Sequence, residues 1–201
     1  MKFFKDNSYD IVRLYINQIG ITIFSMVLYA AVGFLEDSDL KLELRIVLSV
    51  FATIFYLALI YTASWEYGAK DKIKVDSGKL RKLPGKGAIL SFLANLPNFL
   101  IAGLAVICMT VYMSGGAEGF FTAFGVFNLI IRFCSAMYIG IIQGVFSAVP
   151  DGNLLWLLES VGYLVLPLLS VAVTQLGYSF GSRNFRILSV FSGGKNNGDR
   201  S

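Results

Sequence analysis

The chain contains no histidine. That absence removes Ser-His and Cys-His catalysis and the commonest side-chain metal ligand. Cysteine is nearly absent as well. Cys108 and Cys134 both fall inside apolar runs, so a disulfide framework is not expected and the thiols should behave as inert apolar groups. No CxxC, HExxH, GxSxG or Walker A spacing occurs, and the glycine- and lysine-bearing run 78–87 lacks the P-loop order. An enzyme would have to work with Glu66, Asp151 or Glu159, none of which stands at a recognisable spacing from a second acid. No catalytic residue, metal site or cofactor is therefore expected.

Long apolar runs are what the sequence does have. Of 201 residues 56% are hydrophobic, and five runs are long enough to cross a bilayer, about 19–35, 46–67, 88–113, 120–146 and 154–180. A soluble domain of this size has no need of them. The expected fold is all-α, a polytopic helical membrane bundle of about five transmembrane helices. It forms a single membrane domain over 1–180, followed by a polar, partly disordered tail over 181–201. Residues 1–18 alternate charged and apolar side chains and read as an amphipathic helix on the membrane surface, with Ser8 as its cap, running into the first span.

The run 120–146 is singular because it carries Arg132 near its centre. At about 1.5 Å per residue, Arg132 would lie roughly 18 Å from Phe120, deep for snorkelling. An intramembrane arginine is costly and avoids lipid. Gly125, Asn128, Arg132, Ser135, Ala136, Gly140, Gln143 and Gly144 recur at three- and four-residue steps and share one stripe. Gly140 and Gly144 form a small-xxx-small pair suited to helix packing. Three roles fit Arg132: a packing device bonded to carbonyls and amides, a fixed cation for an anionic substrate or lipid headgroup, or a contact with an acid of another subunit. Glu159 is the best intramolecular partner.

The other spans carry polar stripes too. Asn95 and Asn98 flank Pro97, which removes a backbone hydrogen bond and kinks the segment. Pro167 lies on the stripe Glu159, Tyr163, Ser170, Thr174 and Gly177. Stripes of this kind point to one interior, in which Arg132, Asn128, Asn95, Asn98, Gln143 and Glu159 would form a polar substrate or structural site.

Charge sets the topology. Residues 68–87 hold Lys70, Lys72, Lys74, Lys79, Arg81, Lys82 and Lys86 against Asp71 and Asp76, seven minus two, a net +5. The positive-inside rule puts this loop and the N-terminus in the cytoplasm. A short hairpin is expected around Asp76-Ser-Gly78. The lysines suit anionic lipid headgroups or a cytoplasmic partner, and the loop lacks the interleaved aromatics of nucleic-acid binders. Five crossings, however, place the basic tail outside. Four crossings with a re-entrant segment 120–146 would place it inside.

The size and multispan layout resemble small bacterial integral membrane proteins, including the substrate-binding membrane subunits of vitamin transporters. No motif matches residue by residue, so the resemblance transfers no functional residue. It implies a bacterial cell membrane. The expected function is a transporter or transporter membrane subunit with a polar site around Arg132. The alternative is a non-catalytic accessory or assembly protein that binds another membrane subunit or a cytoplasmic protein through the basic loop and helix faces.

Overall fold

In a computed structural model, residues 2–34, 38–79, 81, 83–150 and 152–185 are described. Lys82, Asp151 and most of the polar tail lie outside them. The described residues form α1 (Lys2–Gly33), α2 (Ser38–Asp76), α3 (Lys86–Ala94), α4 (Leu96–Met113), α5 (Glu118–Cys134), a 3-10 turn (Ala136–Tyr138), α6 (Ile139–Phe146) and α7 (Gly152–Ser182). The fold is an all-α bundle. It buries Gln18, Ser49, Asn95, Asn98, Ser135 and Thr174 while turning Val27, Phe51, Ile54, Ile107 and Leu168 outward. Apolar surface on this scale, around a polar interior, suits lipid rather than water.

Several elements differ from the expectations. No strand occurs among the described residues, and the anticipated hairpin is helix: α2 continues to Asp76. At 39 residues α2 is about 58 Å long, far more than the roughly 30 Å hydrocarbon core, so its lysine-bearing end projects from the membrane. It stops at Gly78, whose φ of 72° an L side chain rarely adopts; Lys79 N–H bonds the Lys74 carbonyl at 2.9 Å and Gly78 N–H bonds Val75 at 2.9 Å, a Schellman end. Ser8 does not cap α1. It lies inside the helix and donates to the Lys5 carbonyl at 3.2 Å. The amphipathic segment and the first span are thus one uninterrupted helix.

The largest difference concerns 120–146. Of the two courses open to this fourth apolar run, the straight span is not observed: the run is α5 and α6 meeting at an 89° bend around Ser135. Neighbouring contacts give the direction of each arm. Arg13 of α1 pairs with Glu66 of α2 at 3.5 Å, and Tyr29 donates to the Arg45 carbonyl at 3.3 Å, so α1 and α2 are antiparallel. Tyr61 and Ser64 face Gly177, and Trp65 faces Gly181, so α2 and α7 are parallel. Lys86 at the start of α3 pairs with Asp71 near the end of α2. The start of α1, end of α2, start of α3 and end of α7 therefore share one face, here the basic face.

α3 and α4, interrupted at Asn95, lead away from it. α5 returns part of the way, and α6 heads back, because Gly140 packs on Arg45 and Gly144 on Ile46, near the start of α2. Segment 120–146 enters and leaves by the far face. Four helices, Asn7–Gly33, Leu40–Asp76, Leu96–Met113 and Gly152–Ser182, are each long and apolar enough to cross a membrane, and the contacts of the bent α5–α6 pair are those of a re-entrant segment. This removes the charge conflict, since the end of α7 and the Lys70–Lys86 region fall on the same face. Single cysteines placed at Ser77 and Arg183 should be labelled by an impermeant maleimide from one side, and those at Ser114 and Ser147 from the other. Labelling of Ser147 from the Ser77 side would restore a fifth crossing.

Candidate functional site at the re-entrant break

A bend inside a bilayer frees backbone groups that lipid cannot satisfy. The first two helices supply the partners. Thr22 donates to the Cys134 carbonyl at 3.0 Å. Ser49 donates to the Met137 carbonyl, and Thr53 approaches the same oxygen at 3.4 Å. On the other arm, Gly140 N–H donates to the Tyr29 hydroxyl at 2.8 Å and Ile141 N–H to the Ser49 hydroxyl at 3.2 Å. Thr22 and Tyr29 of α1 and Ser49 and Thr53 of α2 thus hold the break. Gly140 permits the approach: a Cβ there would collide with the Arg45 carbonyl.

Arg132 stands about one helical turn before this break, three residues ahead of Ser135. Its Nη2 pairs with the Glu159 carboxylate and its Nε donates to Asn128 Oδ1 at 3.3 Å, while the Glu159 side chain is 6% exposed and that of Arg132 32%. The ion pair matches depths that the sequence left apart. Phe124 and Arg132 of α5 meet Trp156 and Glu159 of α7, eight residues against three, so α5 runs obliquely across α7. Glu159 lies seven residues into α7, so the pair sits about 10 Å below the far end of that helix, not 18 Å. Arg132 also borders a crevice of about 230 Å³ with Met26, Tyr29, Phe133, Ala136 and Ile139. No described residue engages its Nη1.

The remaining candidates are not gathered at Arg132. Asn95 Nδ2 donates to the Ser91 carbonyl at 2.9 Å and to Ser170 Oγ at 3.2 Å, and Ser170 donates to the Pro167 carbonyl at 2.7 Å. This network ties the interruption between α3 and α4 to the proline in α7, with Pro97 at the start of α4. Gln18 and Asn98 are each 1% exposed, and neither amide has a hydrogen-bond partner among the described residues. Ser135 Oγ and Gln143 Oε1 are likewise unpartnered. Gly140 and Gly144 pack against α2.

On the basic face, Lys86 is withdrawn from the expected lipid-binding set: it is buried and pairs with Asp71 Oδ2 at 2.6 Å, to which Tyr178 also donates at 2.9 Å. Lys72 and Arg183 border an adjoining cavity of about 430 Å³ with Asp76, Pro84 and Gln175. Lys70, Lys74, Lys79 and Arg81 carry no ion pair among the described residues. The sequence reading missed the Asp71–Lys86–Tyr178 cluster, whose only local signal was an acid inside a basic run. It also missed Tyr29, whose hydroxyl links the Gly140 N–H to the Arg45 carbonyl.

No family model matches the sequence, and no curated protein or solved structure is similar to it. The class is therefore defined by fold and site alone: a helical membrane protein, whose interior holds an ion pair beside a re-entrant segment. No group of three or more metal-ligating side chains occurs among the described residues.

Proposed function

We propose that the chain is a membrane transport protein, or the membrane subunit of a transporter, with its ligand site at Arg132. The observation that carries this reading is the re-entrant α5–α6 segment. Discontinuous helices are costly in a bilayer, and transporters use them to bring backbone and polar groups to a substrate. Here the segment bears, among the described residues, the one charged pair at the far face. The basic face is oriented to the cytoplasm of a bacterial cell, where Lys70, Lys74, Lys79 and Arg81 meet anionic lipid or a cytoplasmic partner. The chain is not an enzyme in this reading.

The test is native mass spectrometry of protein purified in mild detergent from its source membrane. An anionic ligand should be retained by the wild type and lost from Arg132→Lys, which keeps the charge and gives up the planar fork. Retention should fall about tenfold or more, equivalent to about 1.4 kcal/mol. Equal retention in Arg132→Lys would remove the clamp. A second polypeptide at fixed stoichiometry would identify the complex to which a transporter subunit belongs.

A further inference from the structure

A second site lies at the opposite end of the bundle from Arg132. Past the point where Gly68 of α2 meets the Tyr178 carbonyl, α2 runs on to Asp76 while α7 stops at Ser182, and a cavity of about 430 Å³ opens between them. Burial gives its direction. Asp71 and Tyr178, 6% and 7% exposed, form the inner end, Lys72 and Ser179 are half-buried, and Asp76 and Arg183 are exposed at the mouth. The mouth therefore opens to water on the basic face, where charge at this density lies outside the hydrocarbon. The Asp71 carboxylate at the floor is already taken by Lys86 at 2.6 Å and Tyr178 at 2.9 Å. Lys72 and Arg183 stand on different helices, and neither has an ion pair among the described residues. Ser179 Oγ accepts from Gln175 Nε2 at 3.0 Å, which leaves its own O–H to donate.

We infer that this cavity binds a phosphate ester, with the phosphoryl group held by Lys72, Arg183 and the Ser179 hydroxyl. Three separate donors suit the three terminal oxygens of a phosphate monoester better than the two of a carboxylate, and the guanidinium fork can span two of them. The local charge has the right sign. With Asp71 and Lys86 cancelling, the lining carries two cations against one free carboxylate, that of Asp76. Lys70, Lys74, Lys79 and Arg81 raise the positive potential around it. The volume exceeds what phosphate alone fills and is that of an organic ligand, and Val75, Leu83 and Pro84 give the organic part an apolar wall. A lipid headgroup and a water-soluble ester both supply this chemistry. Neither Arg132 nor the bend takes part, so the site stands or falls apart from the transport reading.

The full chain, purified in dodecyl maltoside, is titrated by calorimetry with glycerol 3-phosphate and, separately, with dihexanoyl phosphatidic acid. At least one should bind saturably, one per chain. Binding of glycerol 3-phosphate identifies a soluble ester, and binding of phosphatidic acid alone identifies a lipid. Lys72→Gln combined with Arg183→Gln should weaken that binding about tenfold or more. Lys79→Gln combined with Arg81→Gln removes two charges from the same face but none from the cavity, and should change it by less than about twofold. Asp76→Asn should tighten it by about twofold, because a like charge leaves the mouth. All five positions are exposed or half-buried, so the variants should melt as the wild type does when no ligand is present. Failure of both probes to saturate would overturn the site. Equal losses in the two double variants would also overturn it, since diffuse surface charge would then account for the binding. Loss of binding in Asp76→Asn would show that the cavity needs its carboxylate, and would replace the phosphate ester by an ammonium-bearing ligand.

Discussion

Lys86→Met is expected to cost about 3–5 kcal/mol of stability, the largest effect of any single charge removal in this chain. Lys86 and Asp71 are both nearly enclosed, their side chains 9% and 8% exposed, so removing either leaves a poorly solvated charge. The cost arises from the carboxylate left behind, not from the attraction removed. A double replacement, Lys86→Met with Asp71→Leu, should therefore be milder than Lys86→Met alone, even though it deletes more interactions. The Tyr178 hydroxyl loses its acceptor in that variant, so recovery should fall short of the wild type by about 1–3 kcal/mol. Unfolding in mixed micelles measures both. A double variant less stable than either single one would show that the pair is a net source of stability, against the expectation for buried ion pairs.

The second large effect is at the α2–α7 seam. Ser64 and Gly68 of α2 meet Gly177 and Gly181 of α7, two small-xxx-small pairs lying side by side in parallel helices. A Cβ on Gly181 would strike the Trp65 carbonyl, and one on Gly68 would strike that of Tyr178. Backbone cannot swing aside as a side chain can. Gly181→Leu is expected to exceed the usual 1–3 kcal/mol of overpacking and to part the two helices. Gly103→Ala is the control. A Cβ there meets nothing within 4 Å, so removing a helix glycine should add about 0.5–1 kcal/mol. The two changes should move the melting temperature in opposite directions. A melting temperature for Gly181→Leu equal to that of the wild type would mean that the helices are not in contact there.

The seam also marks how far sequence reasoning reaches. Helix identity was legible in the apolar runs, because runs such as 46–67 are too long and too apolar to be anything else in lipid, but not in 72–76, where a hairpin was expected and α2 continues. So was the strangeness of 120–146: a charge and a stripe of small residues in one run advertised that it was not an ordinary span. A re-entrant path was one of the two readings that the charges allowed, but the position of the bend was not legible, since no proline marks Ser135. The break is imposed from outside, by hydroxyls on Thr22, Ser49 and Thr53 that compete for its backbone. Gly177 and Gly181 could have been singled out by spacing, as Gly140 and Gly144 were. The basic run 68–87 shows the opposite failure. Counting its charges together hid that Asp71 and Lys86 cancel in the interior.

The hydroxyls that hold the bend have one more property, which concerns time rather than space. Thr22, Tyr29, Ser49 and Thr53 all precede residues 134–141 in the chain. A ribosome therefore delivers the donors before it delivers the backbone that needs them. When the bend leaves the insertion machinery, α1 and α2 can already stand as an antiparallel pair with that face prepared. Glu159 arrives afterwards, on α7, and meets an arginine that until then has only Asn128 of its own helix. Read along the axis of synthesis, the molecule assembles in an order that shelters each exposed polar group soon after it is made, with α7 as the closing element.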